Sequence, residues 1–259
     1  MTDDSKNSLA AQQWPELACK IRERTPARLL VGRAGAAYRT STQMELGEAH
    51  AAARDAVRVE LNLEADFSAE FVQKWKLFEL CSRARSKNEF LLRPDLGRHF
   101  SGTARADLAK RCSAGNDLQI AIGDGLSVTA VSTQIPSLLP LLHEGAAALG
   151  WKIGQTFVIR HCRVGMLNDI GEILDPKVAV LLIGERPGLA TAESLSAYMS
   201  YRPNKTHTDA DRNLISNIHA RGVGAKDAAT RILNLAMQMM NLKMSGCNLR
   251  EELPALGNG

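Results

Sequence analysis

Residues 178–196, VAVLLIGERPGLATAESLS, constrain the fold of this chain more than any other stretch. They open with an unbroken apolar run, Val178 to Ile183, which is too short for a membrane span and ends at Gly184. Such a run suits a strand buried on both faces of a parallel sheet, because helices cover both sides and no residue needs to be polar. The chain then turns polar at once. Gly184, Glu185, Arg186, Pro187 and Gly188 form a glycine-bracketed loop at the carboxyl end of that strand. Ligands settle at this position in open α/β sheets, so a ligand is expected there.

The 259 residues permit one large domain or two modest ones, and 45% hydrophobic with 5% aromatic residues is an ordinary globular make-up. The net charge is +4, but Lys and Arg are scattered without a basic helix or tract, so nucleic acid is not an expected partner. Cys19, Cys81, Cys112, Cys162 and Cys247 lie far apart, with no CxxC pair and no histidine at zinc-ligand spacing. They read as reduced thiols of a cytosolic protein, with no metal site. The amino terminus carries acids and amides where a secretory signal would be basic and then apolar. No apolar run approaches the ~20 residues that cross a bilayer, so no membrane association is expected.

Along the chain, a short helix is expected over Trp14–Arg24, ended before Pro26. Gly32 and Gly35 in LLVGRAGAAYRT lack the lysine and hydroxyl of a phosphate loop and the third glycine of a dinucleotide fingerprint, so they read as a structural turn. Helical periodicity follows over Thr42–Leu63 and again over Ala65–Cys81, where Phe67, Phe71, Trp75 and Phe78 mark a core-facing stripe. RPDLGR, from Arg93 to Arg98, reads as a charged turn before a helix over Thr103–Cys112. After residue 112 the pattern changes. Strands are expected over Leu118–Ile122, Thr156–Arg160 and Val178–Ile183, with short candidates at Ala197–Tyr201 and Leu214–His219. Between them come helices to about Ser132, over Ile135–Leu149 and Val164–Leu174, and a closing one over Ala225–Met244. The expected fold is therefore α/β, with a mainly helical N-terminal region (1–112) followed by a doubly wound, mostly parallel, Rossmann-like sheet (113–259).

Parallel strands put their carboxyl ends on one edge, so Asp124 with Gly125, Arg163 with Val164, and Glu185 to Gly188 should line one crevice. The residue types favour a large polar ligand: glycines permit close backbone approach, Asp124 and Glu185 accept from amides or hydroxyls, and Arg163 and Arg186 donate. Blander roles stand beside these. Asp124 could cap the next helix, and Glu185 could pair with Arg186 at the surface. No catalytic constellation is apparent, and Ser127 in GDGLS lacks the GxSxG elbow of hydrolases. NIHARG, Asn217 to Gly222, has the spacing of the Asp-x-His-x-x-Gly cobalt-ligating signature. Asn217 stands where a carboxylate would orient His219.

Six blocks together carry a family resemblance: GRAGAAYRT (Gly32–Thr40), RPDLGR (Arg93–Arg98), GDGLS (Gly123–Ser127), IGEIL (Ile170–Leu174), GERPGLATAESLS (Gly184–Ser196) and ADRNLISNIH (Ala210–His219). In register from about Leu29 to Gly246, they resemble the small subunit of ethanolamine ammonia-lyase. The resemblance implies an adenosylcobalamin enzyme that converts ethanolamine to acetaldehyde and ammonia through homolysis of the cobalt–carbon bond. It also implies a partner, a larger barrel-bearing subunit that holds the substrate and the catalytic side chains. This chain would then be half of a cofactor clamp, with residues 113–259 as the cobalamin-clamping part and residues 1–112 as the docking part. Family contacts to the cofactor fall on Val164, Glu185 and Leu214. At Leu214 some relatives carry cysteine, which implies contact through backbone or apolar surface. The family's cobalamin keeps its dimethylbenzimidazole on cobalt, so His219 need not be a ligand. Some relatives also carry a long biased extension associated with enclosure in a bacterial microcompartment, where this chain has about a dozen polar residues. The expected location is cytoplasmic, either free or within such a compartment. The competing function is a self-contained nucleotide-binding α/β module, suggested by the glycine-rich strand ends. Arg33, Arg39, Arg93 and Arg98 are candidates to meet acidic patches on a partner.

Overall fold

The computed structural model describes residues 19–21, 23, 29, 31–188 and 190–251. The apolar run at 178–183 lies in β6 (Val178–Gly184), in which every residue is buried. It pairs in parallel with β4 (Leu118–Gly123), in register from Leu118 opposite Val178 to Gly123 opposite Ile183. On one side β4 pairs in parallel with β5 (Phe157–Arg160), and β5 with β3 (Glu79–Cys81). On the other side β7 (Leu195–Tyr201) and β8 (Asn213–Ile218) are added antiparallel, giving the order β3-β5-β4-β6-β7-β8. The fold is thus the expected α/β one, with a sheet that is parallel through its first four strands.

Period-2 alternation splits the central strands between two cores. Leu118, Ile120, Ile122, Val178, Val180 and Leu182 face one way, where α6 (Val128–Ala148) and α8 (Ala225–Leu242) cover them. Ala121, Ala179, Leu181 and Ile183 face the other, against α5 (Gly102–Arg111) and α7 (Met166–Leu174). Leu138, Leu139 and Leu182 have no exposed surface. Each such side chain contributes about 1.5–3 kcal/mol relative to leaving it in water. This two-sided burial is why the strand run needs no polar residue.

Two expectations are corrected here. The helices expected up to Ser132 and from Ile135 are one continuous element, α6, which runs through Pro136 and Pro140. Each proline removes one intrahelical donor, but buried Ile135, Leu138, Leu139 and Leu142 hold the helix against the sheet across the interruption. The helix expected over Ala65–Cys81 is also not continuous. It splits into α2 (Leu63–Asp66), capped by Asn62, and α3 (Ala69–Trp75), capped by Ser68. Lys76, at φ 49°, stops α3, and the chain then enters β3, whose Leu80 pairs with Ile159. The sheet therefore recruits its edge strand from the helical part of the chain.

The preceding segment forms a small hairpin, β1 (Arg33–Ala34) and β2 (Ala37–Tyr38), around Gly35 at φ +61°. The glycine pair is thus a turn. Next come α1 (Thr40–Arg58), which buries only Thr42, and, after β3, α4 (Lys87–Leu92). The helix expected over Trp14–Arg24 lies largely outside the described residues. Among those described, no helix is long and apolar enough to cross a membrane.

Candidate functional site

The connection from β4 leads to β5 on one side, whereas the chain leaving β6 turns to β7 on the other. Diverging connections open a crevice at the carboxyl ends of these two neighbours. The structure has a hollow of about 310 Å³ at this switch point. Gly125 and Leu126 enter it from the end of β4, Cys162 to Val164 from the end of β5, and Ile183 to Arg186 from the end of β6. Ser196 and Tyr198 of β7 and Leu214 and Ser216 of β8 complete the wall. Two glycines are required by contact. Gly125 has φ +56°, and a Cβ on it would overlap the Gly184 carbonyl, while a Cβ on Gly184 would overlap the Ser127 carbonyl. The Leu126 N–H donates to that Gly184 oxygen over 3.1 Å. The ends of β4 and β6 are therefore packed backbone against backbone.

Glu185 is held rather than free. Its N–H donates to the Ser194 carbonyl over 3.0 Å, and its Oε1 accepts from the Ser196 hydroxyl at 2.7 Å and from the Asn217 N–H at 2.9 Å. It does not pair with Arg186. Asn217 owes its position to a tight turn: it sits at φ +61°, and a Cβ on Gly222 would overlap its carbonyl. His219 closes that turn. Its Nδ1 accepts from the Arg221 N–H at 3.2 Å, which puts the ring proton on Nε2, 2.7 Å from Asn217 Oδ1. Both imidazole nitrogens are engaged, and the buried ring has nothing left to offer a metal. The role of NIHARG is to aim one backbone N–H at Glu185.

Arg163 is the unusual cation. Its guanidinium lies 4.3 Å from the centre of the Phe90 ring, and among the described residues its buried Nε has no partner and no carboxylate pairs with it. Burial holds its pKa below the usual arginine value, and the charge of Arg186 adds to the effect. A cation in this condition favours an anionic or strongly accepting neighbour. Tyr198 has its phenol pushed up by burial and then by Glu185 and Asp209, so it stays protonated and able to donate. Val164 is half-buried, and Leu214 is 45% exposed at the rim.

Of the residues expected at the crevice, Val164, Glu185, Leu214, Arg163 and Arg186 share this hollow. Asp124 does not line it. Its carboxylate is wholly buried behind the loop, where Oδ1 accepts from the Cys162 N–H at 2.8 Å and Oδ2 meets Lys87 Nζ at 3.3 Å. Lys87 also donates to the Gly125 carbonyl over 3.3 Å. Asp124 thus ties the ends of β4 and β5 together from beneath. The helix cap is supplied by Ser127, whose Oγ accepts from the Ala130 N–H. RPDLGR supports the same loop. Gly97 has no room for a Cβ between Phe90, His161 and Arg163, and its carbonyl accepts from the Arg163 N–H at 2.8 Å.

Sequence reasoning missed Ser196, Tyr198, Ser216 and Lys87. The first two stand two apart in β7, and Ser216 stands two beyond Leu214 in β8, so period-2 spacing was the available signal. Nothing in the sequence marks Lys87, which reaches the site only by folding.

The family model described as the ethanolamine ammonia-lyase light chain matches residues 15–250. The chain is 38% identical over 235 residues to the ethanolamine ammonia-lyase small subunit of Clostridium perfringens, covering 91% of this chain and 78% of that one. It is 38% identical to the Fusobacterium nucleatum small subunit over 231 residues, covering 89% and 76% of the two chains. With the Clostridioides difficile small subunit it shares 37% identity over 245 residues, 95% of this chain and 80% of the other. A match across nearly the whole chain, on a fold whose switch point gathers the blocks GDGLS, GERPG and SNIH, leads to one conclusion: the chain belongs to the ethanolamine ammonia-lyase light chain family.

Proposed function

We propose that the switch-point crevice is this chain's wall of the adenosylcobalamin site in ethanolamine ammonia-lyase, the carbon–nitrogen lyase of which it is the small subunit. The large subunit is its partner and covers the rest of the cofactor. Bound adenosylcobalamin supplies radical chemistry through homolytic cleavage of its cobalt–carbon bond. The tasks of this chain are to bind, to orient and to exclude water.

The observation that carries the proposal is the convergence of Val164, Glu185 and Leu214 on one hollow, with Glu185 fixed by Ser196 and Asn217. The chemistry of the lining fits a corrin. Glu185 would accept from the amide arms, Arg163, Arg186 and Tyr198 would donate to carbonyl oxygens, and Val164, Ile183 and Leu214 would offer apolar surface. A hollow of about 310 Å³ is far smaller than a corrin with its arms, which suits a wall completed by another subunit. His219, with both ring nitrogens engaged within the chain, would not hold the cofactor's metal. Asp124 acts in this scheme as a support for the Gly125 and Cys162 loops.

Residues 1–112 are proposed as the docking part and 113–259 as the cobalamin-clamping part. The proposal extends to location. The assembled lyase works in the cytoplasm, and its packaging in a protein-shelled microcompartment is tested by whether the subunit sediments with shells from ethanolamine-grown cells. The site itself is tested by size-exclusion chromatography of the co-expressed subunits, followed by the absorption spectrum after adding adenosylcobalamin. A co-eluting complex that retains cobalamin is expected, with retention weakened by Glu185→Ala. A complex that assembles and binds the cofactor equally well with Glu185→Ala overturns the assignment.

A further inference from the structure

Three arginines bury an Nε that has no partner among the described residues: Arg160, Arg163 and Arg212. Glu60 and Glu79 hold Arg160, and Asp209 holds Arg212. Arg163 alone of the three meets no carboxylate, and its guanidinium makes no hydrogen bond among the described residues. It borders two hollows, the crevice and a neighbour of about 320 Å³ that Pro94, Arg98, Gly165 and Asp209 help to line. What holds it is an aromatic ring. Phe90 of α4 has no exposed surface, and the Arg163 guanidinium lies over its ring, 4.3 Å from the centre. The grip continues along the side chain and the backbone. A Cβ on Gly97 would stand 2.8 Å from both Arg163 Cγ and Phe90 Cε2, and the Gly97 carbonyl accepts from the Arg163 N–H at 2.8 Å. The His161 ring stacks on Phe90 with centres 5.9 Å apart, and Lys87 Nζ lies 5.1 Å from the Phe90 ring centre. Lys87 is neutralised by Asp124, whereas Arg163 keeps its charge.

A carboxylate in the place of this ring would fix the guanidinium equally well, but it would cancel the charge and occupy the N–H groups. The face of a ring attracts the cation through its quadrupole and leaves the N–H groups at the guanidinium edge able to donate elsewhere. We propose that Phe90 is a positioning residue for the cofactor: it holds the Arg163 guanidinium at the crevice wall without neutralising it, so that the guanidinium can donate to acceptor oxygens of the bound cofactor. This rests on the reading that the crevice takes adenosylcobalamin. It also draws part of the clamp from residues 1–112, the segment proposed for docking. The rival role for Phe90 is to fill space beside Ala84 and Leu126, and that role predicts no dependence on Arg163.

The test is a double-substitution cycle on cofactor binding in the co-expressed complex. Adenosylcobalamin affinity is measured by equilibrium dialysis without substrate, and circular dichroism checks that every variant is folded. Arg163→Gln should weaken binding about tenfold, because a charged donor is lost. Phe90→Leu, which keeps apolar bulk and removes the ring face, should weaken it about threefold to tenfold. In the double variant the loss should equal that of Arg163→Gln alone, since the ring has no guanidinium left to place. Arg163→Lys leaves the buried ring untouched and keeps the charge, but an ammonium is a point charge that cannot lie flat on the ring. It should lose most of what Arg163→Gln loses, and it decides the matter where Phe90→Leu does not fold. Losses that add in the double variant overturn the inference, because Phe90 then acts by packing alone. So does wild-type affinity in folded Phe90→Leu or in Arg163→Lys. The cofactor reading fails separately: unchanged binding with Glu185→Ala overturns it, whereas unchanged binding with Arg163→Gln beside weakened binding with Glu185→Ala overturns only the role given to Phe90.

Discussion

The two edges of the sheet are built from the same strands and are treated in opposite ways. At the amino edge two carboxylates are paired with cations. Asp117 takes Lys177 at 2.7 Å and the Lys152 N–H at 2.8 Å, and Asp175 takes Arg202 at 3.2 Å. At the carboxyl edge β4 and β6 end in glycines, and Arg163 is half-buried with no carboxylate paired to it among the described residues. The lesson is that the amino edge is closed by exposed pairs of small weight, while the carboxyl edge joins buried supports beneath the crevice to a lining that keeps hydrogen-bonding capacity for something outside the chain.

The comparison predicts where substitutions should hurt and what they should hurt. The largest effect on stability should come from Asp124→Ala, which strands Lys87 as a buried cation and frees the Cys162 N–H. A loss of about 3–5 kcal/mol is expected in urea unfolding of the complex. A variant as stable as the wild type would show that the loop is not held from beneath. Gly125→Ala should follow with about 2–3 kcal/mol, because φ +56° and the Gly184 carbonyl leave a methyl group no room. Thermal unfolding measures it, and a cost near zero would mean that the ends of β4 and β6 can part.

Glu185→Ala should act on the ligand rather than on the fold. Cobalamin retention should weaken by about 1.5–3 kcal/mol, on the order of tenfold to a hundredfold, with little change in melting temperature. If stability falls and retention does not, Glu185 belongs with the supports. The smallest effect is expected at the amino edge. Lys177→Ala should cost at most about 1 kcal/mol, since the lysine is largely exposed. Its signature is in pH. The Lys177 ammonium, and then the Lys152 N–H, hold the Asp117 carboxyl below its ordinary value. That contribution is present above the ordinary carboxylate pKa and is lost as pH falls through the lowered folded value. Lys177→Ala should therefore reduce the difference in stability between neutral and acid pH, and identical acid-unfolding curves would break the expectation.

The crevice was legible to the extent that it is made of strand ends. An unbroken apolar run followed by a polar, glycine-bracketed loop predicts both the strand and the ligand position, because burial and topology act through local pattern. Asp124 shows the limit of that reasoning. Its place beside Gly125 matched a ligand contact in sequence, yet the carboxylate turns inward to Lys87, 37 positions away in the chain. β3 was hidden for a related reason. Phe78 and Leu80 also fit a helical stripe, and only the Lys76 stop and the open side of β5 decide for a strand. Of the four arginines proposed at sequence level to face a partner, Arg93 is paired with Asp95 and Arg33 lies over Tyr38.

By itself the sequence determined the α/β class, the buried central strand, the GERPG loop after it and the family to which the chain belongs. These follow from periodicity, glycine placement and residue order, which act over a few neighbours at a time. Only the tertiary structure decided that α6 continues through two prolines, that Ser196 and the Asn217 N–H anchor Glu185, and that Asp124 turns inward to Lys87. The reason is physical. Packing against the sheet outweighs a missing helical hydrogen bond, and which charges meet depends on chain segments brought together from far apart.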